Sequence, residues 1–354
     1  MRPRPRPTSR CASHRSTSTS PSLRERSPST SRVTQRRSHS TNSGAPARWD
    51  ADVMKRAKRL TVRAHAKVNL DLRVLGVRED GYHELLTVFQ TIELHDTLVC
   101  AEQTGRFRIT SRAADVPLDA DNLIWKAASA LWKALGRAGD VRDTAVTLQK
   151  KIPVQAGLGG GSADAAAALH ALARLWGGVP LTLLREVGAT IGADVPFFLS
   201  GGTALGLGRG EEVYPLVDLP PHWIVIVRPP FGVSTAEAYA WYDEDRAAGL
   251  REVRELQLLP VPWPSRAAQM INDLEPPVVR RHPEIATLKT QLREAGAVAA
   301  AMSGSGSAVF GLFRARRAAE ALVRPLSRKG CRALLTRTLA RAQHERRARP
   351  FGRR

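Results

Sequence analysis

Gly157, Gly159, Gly160 and Gly161, followed by Ser162 and an Ala/Leu-rich run, carry the clearest chemical signal in this chain. Glycines let backbone N–H groups approach a ligand without a Cβ in the way, and a helix that opens there favours an anion. A nucleotide phosphate suits such a loop. The stretch is not a P-loop, because no Lys-Ser/Thr pair follows the last glycine. It is not a dinucleotide fingerprint either, since Ser162 stands where a third glycine is needed. The protein-kinase signature set is absent. The plainer alternative is a flexible connection capped by Ser162. A hydroxyl that attacks a phosphate benefits from a base, and Asp194, between Ala193 and Val195 in an apolar segment, is the candidate. A carboxylate in such surroundings must be hydrogen-bonded or paired. Asp194 equally suits the cap of a short helix over 195–199.

The elements that must hold these residues can be read from periodicity. Over 61–74, Val62, Ala64, Ala66, Val68, Leu70, Leu72 and Val74 alternate with polar residues, which predicts a half-buried strand with one polar face. An Asp80-Gly81 turn leads to a second strand over 85–94. Asp121-Asn122 opens a helix running to 132. A strand near 144–150 enters the glycine loop and its helix. A helix, a short apolar run and a glycine-rich turn into a strand follow from Pro180. Residues 222–228 read as a buried strand stopped by Pro229-Pro230, which starts a second domain near 220. Helices are predicted over 234–243 and 282–296, and a strand, glycine turn and strand over 297–313. Strands and helices intermix without regular βαβ spacing, which favours an α+β fold over a doubly wound sheet.

Composition limits the other classes. The 354 residues hold 54 Lys+Arg against 33 Asp+Glu, a net charge of +21. Residues 1–58 contribute 14 basic and 3 acidic residues, and 314–354 contribute 14 and 2, so the body between is near neutral. Specific nucleic-acid binding by the core is therefore not expected, and a polyanion-binding role would reside in the tails. No apolar run approaches the ~20 residues that cross a bilayer. Cys11, Cys100 and Cys331 are scattered and odd in number, as in a cytoplasmic protein with reduced thiols. The nine histidines show no zinc-like spacing, and no acidic cluster has metal-ligand spacing. Residues 1–58 form an Arg-, Ser- and Pro-rich extension that reads as disordered. It mimics a transit peptide, but sequence translated upstream of a start at Met54 is the preferred reading.

Three stretches together resemble the GHMP kinases: "AHAKVNLDLRVLGVREDGYHEL", "PVQAGLGGGSADAA" and "MSGSGSAVFGLF", joined by "IGADVPFFLSGG" and "INDLE". The likeness covers roughly residues 60–315. AKVNL, DGYH and GADVP point to the branch that phosphorylates the 2-hydroxyl of a cytidine diphosphate-linked methylerythritol in non-mevalonate isoprenoid biosynthesis. Homoserine and mevalonate kinases are the alternatives within the family. The resemblance implies a two-domain α+β fold. Its N-terminal domain, 59–219, would be ribosomal-protein-S5-domain-2-like and its C-terminal α+β domain would span 220–335; a basic tail over 336–354 follows outside the family pattern. ATP, with Mg²⁺, would lie over Pro153, Val154, Gln155, Ala156, Gly157, Leu158, Gly159, Gly160, Gly161, Ser162 and Ala163. Asp194 becomes the base and Lys67 its partner, orienting the hydroxyl. Asn69 would contact substrate, His83 the cytosine edge, and Tyr82 would stack on the base. Tyr239 would supply the opposite ring, with Trp241 as the competing choice. Gly304 and Ser305, before Gly306, would bring a backbone turn beside a phosphate. Each has a plainer structural role available: a solvated strand lysine, a surface amide, packing aromatics or a hairpin turn.

The end of the chain departs from the family. A Gly/Pro turn and an apolar strand are expected there, yet "LARAQHERRARPFGRR" is basic and turn-poor. A helix, disorder or a shifted reading frame each accounts for it, and the apolar strand expected to end the second domain is missing from the pattern.

Overall fold

The computed structural model describes residues 59–250, 270–328 and 330–352. The N-terminal extension and Met54 lie outside the described residues. In chain order the first half comprises β1 (Arg59–Val77), β2 (His83–Arg106), β3 (Arg108–Ser111), α1 (Leu123–Ala134), β4 (Arg142–Gln149), α2 (Gly160–Trp176), α3 (Leu181–Ile191), α4 (Val195–Ser200), β5 (Thr203–Leu207) and β6 (Glu212–Pro215). The second comprises β7 (Trp223–Arg228), α5 (Thr235–Ala247), α6 (Glu275–Arg281), α7 (Glu284–Glu294), β8 (Ala299–Met302), β9 (Val309–Phe313), α8 (Arg316–Arg328), β10 (Arg332–Arg337), α9 (Arg341–Ala348) and β11 (Phe351–Gly352).

The first sheet runs β11-β1-β2-β4-β3, with β5 and β6 continuing from β2. Its frame is the long antiparallel β1–β2 hairpin, closed by Gly81 at φ +82°, a conformation that glycine adopts without strain. Helices α1 to α4 cover one face with an Ala- and Leu-rich core. Asn122 caps α1, as its sequence predicts, accepting from the Ile124 N–H at 2.9 Å. The second sheet is β10-β7-β9-β8, with α7 on β8 and β9 and α8 on β10 and β7. Ser234 opens α5 through a reciprocal capping box with Glu237.

The first strand differs from its simple alternation. A bulge between His65 and Lys67 shifts the register with β2. Before it, Val62 and Ala64 pack under the helices; after it, Ala66, Val68 and Leu70 pack toward the second sheet. Such a bulge re-aims side chains locally. The face expected to be polar and half-solvated is consequently buried at its centre: His65, Lys67 and Asn69 are 2%, 4% and 3% exposed.

The last residues also differ from a trailing tail. β10 forms beside β7, then α9 returns to the first sheet and β11 pairs with the start of β1. Three of its arginines bond internally. Arg337 reaches Glu93 at 2.6 Å, Arg347 pairs with the same carboxylate, and Arg341 donates to the Thr203 carbonyl at 2.6 Å. Among the described residues no helix is long and apolar enough to cross a membrane.

Candidate active site

The glycine stretch links the end of β4 to α2. Gly159, at φ +68°, occupies the cap position of α2 and offers no side chain to its first turn. The opening N–H groups therefore remain available to a ligand. Ser162 lies within that first turn rather than at the cap. Gly157 is required by close approach: a Cβ there would collide with the Ser303 carbonyl, and its φ is +69°. Ser303 in turn donates its hydroxyl to the Gly157 carbonyl at 2.9 Å. Gln155 also sits at positive φ, +52°, an uncommon conformation for a non-glycine residue. The loop and the Ser303–Gly306 turn thus interlock although they are far apart in sequence.

Beneath α2, Lys150 bridges two buried carboxylates, reaching Asp164 at 2.9 Å and Asp96 at 2.5 Å. Burial lowers the Lys150 ammonium, but the Asp164 and Asp96 charges outweigh it and leave its pKa raised. Burial raises the Asp164 carboxyl well above its ordinary range. This cluster fixes the ammonium immediately under Gly160.

Lys67 is the meeting point of the motifs. Its Nζ donates to Asn69 Oδ1 at 2.6 Å and lies 3.5 Å from Asp194 Oδ2. A Cβ on Gly159 would stand 3.2 Å from Lys67 Cε, and one on Gly304 would stand 3.3 Å from Lys67 Nζ. Asp194 does precede α4, yet its carboxylate makes no capping bond and turns toward the lysine. Asn69 is itself oriented by donating to Thr87 Oγ1 at 2.8 Å.

The glycine loop, Lys67, Asn69, Asp194, Tyr82, His83, Tyr239, Gly304 and Ser305 line one cleft of about 1350 Å³. At its other end, Tyr239 stacks on His83, with ring centroids 4.7 Å apart and planes at 25°. The resemblance pairs Tyr239 with Tyr82 across the base; the ring contact Tyr239 makes in the structure is with His83. The Tyr82 ring instead carries the Arg209 guanidinium at 5.1 Å. Trp241, the competing choice, packs against His282 and Arg281 outside this lining. Burial, followed by the Asp194 charge, raises the Tyr239 phenol, so it stays protonated.

Sequence reasoning missed several contributors. Asp243 receives His83 Nε2 at 2.9 Å, and Asn272 ties the third motif by donating to the Met302 and Gly304 carbonyls at 2.9 and 2.7 Å. Arg209, Thr87, Lys150 and Asp164 were missed too. None carries a local signature; Asn272 was visible only as part of "INDLE".

The arrangement fits a triphosphate. Glycines leave unobstructed backbone donors at a helix start, where an anionic phosphate is favoured. Among the described residues no group of three or more His, Cys, Asp or Glu is placed to hold a metal.

Comparison with known proteins identifies the family. Residues 122–202 match the GHMP kinases N terminal domain, and 261–332 match the GHMP kinases C terminal domain. The chain is 46% identical over 273 residues to 4-diphosphocytidyl-2-C-methyl-D-erythritol kinase of Solibacter usitatus, covering 75% of this chain and 84% of the relative. It is 44% identical over 291 residues to the enzyme of that name from Pelotomaculum thermopropionicum, covering 79% and 98%. A crystal structure of 4-(cytidine 5′-diphospho)-2C-methyl-D-erythritol kinase superposes with a TM-score of 0.64 at 35% identity, covering 78% of this chain and 98% of that one. Homoserine kinase from Cytophaga hutchinsonii, at 20% identity and a TM-score of 0.58, shares the fold. With nearly half of all positions identical across most of a curated relative, the chain belongs to the GHMP kinase family.

Proposed function

We propose that this enzyme transfers the γ-phosphoryl group of ATP to the 2-hydroxyl of 4-diphosphocytidyl-2-C-methyl-D-erythritol, giving the 2-phosphate and ADP. The observation that carries the mechanism is the pairing of buried Lys67 with half-buried Asp194, 3.5 Å apart, at the point where the glycine loop and the Gly304 turn meet. Phosphoryl transfer asks a protein chiefly to position two partners and to neutralise developing charge. Asp194 accepts the proton of the attacking hydroxyl. Lys67 holds that carboxylate by charge and offers donors to the hydroxyl or the moving phosphoryl group, while Asn69 fixes the ammonium by accepting from it.

The nucleotide phosphates lie over Gly157 to Ser162, where the backbone donors of α2 receive them. Magnesium carried on the triphosphate would neutralise phosphate charge there. Ser162 contributes its hydroxyl to phosphate or metal. At the far end of the cleft, His83 reads the cytosine edge and Tyr82 stacks on the base, a contact worth about 1–3 kcal/mol. Tyr239 acts through His83, on which it already stacks. Gly304 and Ser305 approach a phosphate from the second sheet. The scattered cysteines suit a reducing cytoplasm.

The test is the chain with Mg-ATP and this substrate, following ADP release and the new phosphate monoester by phosphorus NMR. ADP and the 2-phosphate are the expected products. No turnover of this substrate, alongside turnover of homoserine or mevalonate, would move the assignment to another member of the family.

A further inference from the structure

His344 lies on α9, in the basic C-terminal stretch that departs from the family pattern. It is 3% exposed, and its Nε2 donates to the Phe198 carbonyl at 3.1 Å. Phe198 belongs to α4, the helix that begins immediately after Asp194. From this arrangement we infer that His344 is a positioning residue for Asp194, capping the C-terminal end of α4 and thereby holding the carboxylate at its other end against Lys67. The inference rests on the reading of Asp194 as the base.

The physical need for such a cap is clear. α4 has six residues, well short of the roughly 12–15 at which a helix begins to hold by itself in water. Its first bond, from the Phe198 N–H to the Asp194 carbonyl, is long at 3.4 Å. Its last carbonyls lack helical partners, as in any helix, and must find donors elsewhere. His344 supplies one to Phe198, and His170, on the glycine-loop helix, bonds the Leu199 backbone.

The seat is shaped for an imidazole. Gly201, which ends α4 at φ +64°, leaves the space the ring fills, since a Cβ there would collide with it. Donation from Nε2 leaves Nδ1 bare, and that buried atom has no partner among the described residues. Burial pushes the His344 pKa down to about 4, so the ring remains neutral under ordinary conditions.

α9 is anchored independently of this contact. Asp218 accepts the Arg341 N–H at 2.8 Å, Arg347 pairs with Glu93, and Arg174 bonds the Pro350 carbonyl. A firmly held platform can therefore set the angle of a short helix. A six-residue helix is a lever of about 9 Å, so a 10° tilt at its far end moves Asp194 by about 1.6 Å. Misplacement of about 1 Å costs about 100-fold in rate.

The experiment compares His344→Phe, which keeps a ring without the donor, with His344→Gln, which keeps an N–H donor. Turnover, nucleotide affinity and amide exchange across 194–201 are measured in the full chain, below both melting temperatures. For His344→Phe we expect kcat to fall about 10- to 100-fold. Substrate KM and nucleotide Kd should stay within about threefold, and α4 exchange should rise about tenfold. His344→Gln should recover most of the rate. Full kcat in His344→Phe overturns the inference. So does an equal loss in His344→Gln accompanied by weakened nucleotide binding, which would mark general loosening. If His344→Phe does not fold, His344→Asn, whose amide is too short to reach Phe198, replaces it under the same criteria. If the wild-type chain prefers homoserine or mevalonate, the proposed substrate fails, and the same comparison on that acceptor still decides the role of His344.

Discussion

The two ends of the cleft are built in opposite ways. The proposed nucleotide end is built mainly on one continuous stretch, Pro153 to Ser162, while Ala163 turns into the core, and its Gly157 is locked against Ser303 by close backbone contact. The substrate end is gathered from a hairpin tip (Tyr82, His83), the β5–β6 turn (Arg209) and α5 (Tyr239, Asp243). The first end tolerates little change because backbone meets backbone. The second is lined by exposed or half-exposed side chains, so changes there should alter the proposed recognition while leaving the fold intact. Lys67 and Asp194 lie between the two and belong to neither.

The largest expected effect is at that junction. Asp194→Asn should lower kcat by about 10²- to 10⁴-fold while nucleotide affinity is kept. Unchanged turnover would remove Asp194 from the role of base. Next comes the rigid end. Gly157→Ala forces a strained φ and a backbone collision, and should destabilise the fold by about 2–4 kcal/mol, read as a lowered urea midpoint. Gly161→Ala is its control, with only Leu123 Cδ1 within reach at 3.4 Å. It should cost less than about 1 kcal/mol of stability yet weaken nucleotide binding if phosphates approach there. Equal destabilisation by both would break the contrast within the loop.

A pH effect follows from the buried histidines around α9. His344 is pushed down to about 4, chiefly by burial, and His65 to about 2, by burial and then by His344 and His95. An unfolded chain binds these protons near pH 6.5 while the folded one refuses them. Stability is then complete above pH 6.5 and is lost as pH falls toward 4, by on the order of 3 kcal/mol for His344 alone. Urea titrations between pH 7 and 4.5 should show that slope, and His344→Gln should flatten it; equal slopes would remove His344 as its source. The smallest effect belongs to the open end. Tyr82 is 58% exposed, so Tyr82→Ala should leave stability within about 0.5 kcal/mol. It should raise substrate KM by the equivalent of about 1–3 kcal/mol. An unfolded Tyr82→Ala variant would show that the two ends do not differ as described.

Much of the nucleotide end is legible in the sequence because glycine spacing, a helix start and a preceding strand are local properties of a few successive residues. The α+β class, the Asn122 cap and the hairpin turn at Gly81 can be read for the same reason. Lys67 was visible as an alternating strand residue, but periodicity gave it a solvated face; the bulge after His65 and the burial of Lys67 depend on helices and loops that arrive from more than ninety residues away. Tyr239 was found, though its stacking partner was not, because which rings meet is set by the packing of α5 on the hairpin. The basic terminus was the least legible. Arg341, Arg347 and His344 read as a charged tail until Asp218, Glu93 and the Phe198 carbonyl are seen beside them. Sequence alone determined the local elements and the chemistry they could offer. Tertiary structure decided which charges are paired, which polar residues are buried and what holds Asp194 in place, because burial and pairing are made between segments distant in the chain.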